Sequence, residues 1–80
     1  MRKTMMEKLF STSDLSLAAT ISLQYPIESL DKTNPRRVLF IFKNSKQIEK
    51  LVDSYQRNEL EVEPLSFFNQ LKNIKSRIYE

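Results

Sequence analysis

The chain has 80 residues, 40% of them hydrophobic and 29% charged, with a net charge of +3, so it has the composition of one small folded domain with no room for a second independent core. It contains no cysteine, no histidine and no glycine, which excludes a disulfide framework, a thiolate nucleophile, the usual zinc sites and any glycine-rich phosphate loop. The commonest general base is missing as well, and the expectation is a non-enzyme that needs no metal or small-molecule cofactor.

No segment approaches the ~20 apolar residues of a membrane-spanning helix. The opening Met1-Arg2-Lys3-Thr4 is basic but lacks the apolar run of a signal peptide. The expected setting is the cytoplasm, with no membrane partner. Residues 1–80 read as one domain, with 1–9 a flexible lead-in.

In chain order, Phe10-Ser11-Thr12-Ser13-Asp14-Leu15 reads as a helix start, with Ser11 as cap, Asp14 completing a capping box, and Phe10 and Leu15 as a hydrophobic staple. The residues that follow carry two periods. Leu15, Leu17, Ala19, Ile21, Leu23 and Tyr25 alternate as in a strand, whereas Leu15, Ala18, Ala19 and Ser22 form a helical stripe. The cap and the paired alanines favour helix. Pro26 stops it and turns Tyr25 toward extended geometry.

Ile27 to Asp31 is expected to be a short strand, and Asp31-Lys32-Thr33-Asn34-Pro35 is turn chemistry. The run that follows, from Arg36 to Lys43, holds the densest set of β-branched and aromatic residues and reads as the central strand of an antiparallel hairpin. Val38, Phe40 and Phe42 face one way; Arg37, Leu39, Ile41 and Lys43 face the other. The next helix opens with Asn44 as cap and Gln47 reaching back. Ile48, Leu51, Val52 and Tyr55 give it a clear apolar stripe. Without glycine, it is expected to end on Asn58, the next most tolerant residue at a left-handed position. Leu60 and Val62 can add a third short strand, with Glu59, Glu61 and Glu63 along one side. Pro64 suits the first turn of a last helix, whose stripe is Phe67, Leu71, Ile74 and Ile78, with Phe68 at its border and also expected in the core. The fold class is therefore α+β: a small antiparallel hairpin, with room for a third strand, packed with three helices in the order α-β-β-α-(β)-α.

Three groups of residues, Thr12-Ser13-Asp14-Leu15 with Ala18-Ala19, Asn34-Pro35-Arg36-Arg37-Val38 with Phe40 and Phe42, and Phe67-Phe68, Leu71-Lys72 and Lys75-Ser76-Arg77-Ile78-Tyr79, together resemble a family of short prokaryotic domains of unknown function. The resemblance spans Phe10 to Tyr79. It implies a compact α/β domain and lends no chemistry. That family often carries glycine after the first helix and before the short late strand; Gln24 and Asn58 or Glu59 lie near those places in this chain.

Charge is uneven. Residues 32–50 hold six basic and one acidic residue, while 51–63 hold one basic and four acidic. Arg36, Arg37, Lys43, Lys46 and Lys50 are the candidate contacts to nucleic acid or another polyanion, because clustered lysines and arginines form the electrostatic footprint of a phosphate binder. A solvated basic face, with lysines and arginines that block unwanted sheet pairing, is the plainer reading of the same residues. A second hypothesis uses Leu39 and Ile41. If the helices leave their side of the sheet uncovered, it becomes an interface for a homodimer or a larger protein.

Overall fold

The computed structural model describes residues 8–79. In chain order it contains strand β1 (Leu9–Thr12), helix α1 (Leu15–Ser22), strands β2 (Ser29–Asp31) and β3 (Leu39–Lys43), and helices α2 (Lys46–Gln56) and α3 (Pro64–Ile78). Three helices and a three-stranded antiparallel sheet make the expected α+β fold. The sheet order is β1-β3-β2, so the aromatic strand is central, as its composition requires of a strand with two paired edges.

The third strand is not where the alternation of Leu60 and Val62 suggested. It is β1, ahead of the first helix, pairing Phe10 with Phe42 and Thr12 with Phe40. Since β1 and β2 occupy both edges of β3, no edge of the central strand is left for 60–62. That stretch forms no strand, and Leu60 instead packs against the core. Glu59, Glu61 and Glu63 consequently share no strand face. Residues 1–7 of the expected flexible lead-in lie outside the described residues. Leu9 already belongs to β1, and the carbonyl of Lys8 accepts a hydrogen bond from the Asn44 N–H at 2.9 Å.

Ser11 is therefore a strand residue, and the α1 cap is Asp14, whose carboxylate accepts from the Leu17 N–H at 3.2 Å. The capping box and staple give way to a strand followed directly by a capped helix. Five consecutive α1 residues, Leu17 to Ile21, are buried. A helix enclosed on several sides loses its one-sided period, which is why its sequence carried two. Thr20, the polar member of that run, is satisfied by donating from Oγ1 to the Ser16 carbonyl at 2.8 Å.

Helix α2 is capped by Ser45, not Asn44: the Ser45 hydroxyl accepts from the Ile48 N–H at 3.2 Å. Asn44 instead donates from its amide to the Glu49 carboxylate at 3.1 Å. The far end falls where the absence of glycine placed it. Asn58 has φ 60°, its N–H donates to the Tyr55 carbonyl, and the Glu59 N–H donates to the Ser54 carbonyl. These two bonds make a Schellman motif with asparagine in the left-handed position. Helix α3 starts at Pro64 behind Glu63, whose carboxylate accepts from the N–H groups of Leu65 and Ser66 at 3.0 and 2.8 Å and from the Ser66 hydroxyl at 2.8 Å.

All three helices gather on one side of the sheet. Phe40 and Phe42 are buried together with Leu17, Ala18, Ala19 and Ile21 of α1, Ile48 and Leu51 of α2, and Ile74 of α3. Helix α1 lies between the other two and packs on both. Leu39 and Ile41 face away from this core, and neither they nor Leu9 pack against it.

Candidate functional site

The turn between β2 and β3 is built by its side chains. Asp31 accepts from the Thr33 N–H at 2.9 Å, and Asn34 accepts from the Arg36 N–H at 2.9 Å. The Arg37 N–H donates to the Asn34 carbonyl at 3.0 Å, closing a β-turn with Pro35 in the position that favours its fixed φ. The two hydrogen bonds from Thr33 hold the Asp31 carboxyl below its ordinary pKa. This turn leaves Arg36 and Arg37 exposed at the entrance to the central strand.

Both arginines border an open cleft of about 570 Å³. Its apolar floor is Leu15, Val38, Phe40 and Ile78, and its rim is Ser13, Asn34, Pro35, Arg36 and Arg37. The Arg37 Nε donates to the Ser13 hydroxyl at 3.2 Å. Among the described residues, neither guanidinium is paired with a carboxylate; Arg57 and Asp53 form the ion pair seen there, at 3.2 Å. Helix α3 closes the far wall through Ile78, and Lys32 joins the hairpin to it by donating from Nζ to the Arg77 carbonyl at 3.0 Å. The cleft thus combines planar cationic donors, side-chain hydrogen-bonding groups and an apolar floor. Such a set suits an anion attached to a flat or apolar body.

The structure divides the basic residues marked out in the sequence. Arg36 and Arg37 stand at one end of β3 and Lys43 at the other, about 20 Å away at ~3.3 Å per residue. Lys43 borders a second cleft of about 440 Å³ with Tyr25, Glu28, Asn44 and Gln47, and Lys46 and Lys50 are exposed on the first turns of α2. The arginine end gains partners that sequence reasoning passed over, namely Ser13 and the Lys32–Arg77 junction. Lys32 belonged to the same charge excess, but nothing in the sequence paired it with α3.

Two apolar surfaces lie elsewhere on the domain. On the side of the sheet away from the helices, Leu39 and Ile41 are half-buried and Leu9 is 61% exposed. On α3, Leu65, Phe68 and Tyr79 are 65%, 59% and 85% exposed. Phe68 is therefore not in the core: one helix stripe serves the core, Phe67 and Ile74 occupy it, and Phe68 stands a hundred degrees round. Among the described residues no group of His, Cys, Asp or Glu could hold a metal ion, and no helix is long and apolar enough to cross a membrane.

These features define a small α+β domain with a basic, open-mouthed cleft at one end of its sheet. A family model described as a domain of unknown function, DUF5659, matches residues 7–80, and the chain belongs to that family. No curated protein and no solved structure matches it.

Proposed function

We propose that this domain is a non-catalytic, cytoplasmic binding module that holds the phosphates of a nucleic acid at the Arg36–Arg37 cleft. The observation that carries the reading is the arginine pair itself, displayed by a proline turn at the mouth of the cleft and without a carboxylate partner among the described residues. Arginine forks match phosphate oxygens bidentately, and the Ser13 hydroxyl and Asn34 amide beside them are groups of the kind that contact phosphate and sugar. Lys43, Lys46 and Lys50, at the far end of β3, then act as longer-range attraction for the same polyanion. Fluorescence anisotropy with labelled single- and double-stranded oligonucleotides across a salt series tests this. Affinity should fall linearly in log salt, and Arg36→Ala/Arg37→Ala should weaken it and flatten the slope by about one to two. No binding at low salt overturns the reading.

The gathering of all three helices on one side of the sheet supports a second reading, association through Leu39, Ile41 and Leu9. A three-stranded face this short offers less than the roughly 800 Å² per partner of a standard interface. A homodimer formed there would be weak and concentration-dependent.

A further inference from the structure

Helix α3 carries two stripes. Phe67, Leu71, Ile74 and Ile78 turn toward the core. About a hundred degrees round the helix, Leu65, Phe68, Lys72, Lys75 and Tyr79 recur at alternating steps of three and four, the spacing of a single helix face. All five are exposed. From Pro64 to Tyr79 the helix has three basic residues and no acidic one. We infer that this outer stripe is a stacking track for single-stranded nucleic acid, continuous with the arginine cleft: Phe68 and Tyr79 stack on bases while Lys72 and Lys75 meet the intervening phosphates. The inference rests on the cleft reading and names the strand form that reading leaves open.

Three observations carry it. The first is the order of chemistry along the helix, aromatic, lysine, lysine, aromatic, with Phe68 and Tyr79 about 16 Å apart along the axis at ~1.5 Å per residue. Ring faces held beside cations along a groove or ridge are how proteins grip unpaired strands without reading sequence. Second, Phe68 is steadied as well as exposed: its ring meets Phe67 edge-on, centroids 6.3 Å apart and planes at 64°, and Phe67 is anchored against the core. Third, the stripe ends beside the cleft: Tyr79 directly follows Ile78, which lines the cleft, and the Arg77 carbonyl is held by Lys32 from the hairpin turn.

The competing occupants fit less well. A partner helix in the same seam would bury Lys72 and Lys75 at its centre, with a desolvation cost that its own carboxylates would have to offset. A membrane surface calls for a broad apolar face, and here the broad apolar face is already turned to the core. Duplex bases are stacked on one another and cannot reach the rings.

The test uses the full chain and a labelled oligothymidylate of about twelve nucleotides, within the usual range of site sizes, beside a duplex of equal length. Phe68→Leu/Tyr79→Leu keeps apolar bulk and removes the π-faces. It should weaken single-strand binding at least tenfold, leave the salt slope unchanged and leave duplex binding unchanged. Lys72→Ala/Lys75→Ala should lower the single-strand slope by about 1.4, two phosphates at ~0.7 each. Unchanged circular dichroism spectra would show that both variants fold. If Arg36→Ala/Arg37→Ala loses binding while Phe68→Leu/Tyr79→Leu does not, the stacking track is wrong and the cleft reading stands. If the unaltered protein binds neither oligonucleotide, both fall. Binding to anionic lipid vesicles that requires Phe68 and Tyr79, with no single-strand binding, would reassign the stripe to a membrane surface.

Discussion

The ammonium of Lys32 donates a 3.0 Å hydrogen bond to the carbonyl of Arg77, joining the hairpin turn to the last turn of the last helix. It gives the Arg77 carbonyl, which also accepts from the Tyr79 N–H, a second donor, and it places a cation where the helix dipole favours one. Lys32→Met keeps the stem and removes the charge. It should cost about 0.5–1 kcal/mol of stability and speed amide exchange selectively over Ile74 to Ile78, as read by hydrogen-exchange mass spectrometry. Uniform exchange changes would show that the bond does not anchor the helix end.

The core is small enough that single residues decide folding. Phe42 and Ile74 are fully buried, and truncating either should cost about 2–5 kcal/mol, against roughly 4–12 kcal/mol in all for a domain of this size. Phe42→Ala should therefore leave a substantially unfolded population at 37 °C by circular dichroism. Ile41→Thr, one residue away but facing outward, should shift the midpoint far less.

Asn58 fills the left-handed position that closes α2. Asn58→Gly should be neutral or slightly stabilising. Asn58→Val, whose branched side chain resists that conformation, should cost about 1–2 kcal/mol. Urea melts of the two variants would separate backbone conformation from any side-chain role.

The pH dependence should have two distinct limbs. The Glu63 carboxyl is held below its ordinary pKa by hydrogen bonds from the Ser66 side chain and from the Leu65 and Ser66 N–H groups. A depressed carboxyl contributes stability that is full above its unfolded pKa, about 4.3, and is lost as pH falls through the folded value. Tyr55 is shifted up, first by burial and then by the negative Asp14, to which its hydroxyl donates at 3.3 Å. Its contribution is full below its unfolded pKa, about 10, and is lost as pH rises through the folded value. Glu63→Gln should blunt the acid limb of a melting-temperature profile, and Tyr55→Phe the alkaline limb, each leaving the other intact.

If the side of the sheet away from the helices is an interface, Leu39→Thr/Ile41→Thr should abolish any concentration-dependent mass in sedimentation equilibrium and leave the spectrum of the fold unchanged. If the unaltered protein stays monomeric up to millimolar concentration, that face is not a homodimer interface.

The features that could be read from the sequence are those fixed by local chemistry. The proline turn before Arg36, the inward Phe40 and Phe42, the stripe of α2, the asparagine stop at 58 and the Pro64 start all follow from neighbouring residues. The misplacements arise where tertiary pairing decided. Ser11 carries a cap residue's hydroxyl, yet β3 offered Leu9–Thr12 a free edge. Leu60 and Val62 alternate as a strand should, but no edge of the central strand remained for them. Phe68 lies at the border of an apolar stripe, and only the position of α1 determines which side of that border is buried. Of the site, the arginine pair was legible. Ser13 and Lys32 were not, because their partners lie far along the chain.

The sheet order has a consequence for the time course of folding. Strands β2 and β3 are neighbours in sequence and can pair early across one short turn. Strand β1 reaches the other edge of β3 only by closing a longer loop that contains α1 and β2. Contacts that close long loops meet their entropic cost before their reward, so β1 should be the last strand to seat and the first to leave. When it leaves, one edge of β3 is bared. The amides of Leu9 to Thr12 would then exchange through openings smaller than global unfolding, and the aromatic central strand would be briefly available for pairing with another chain.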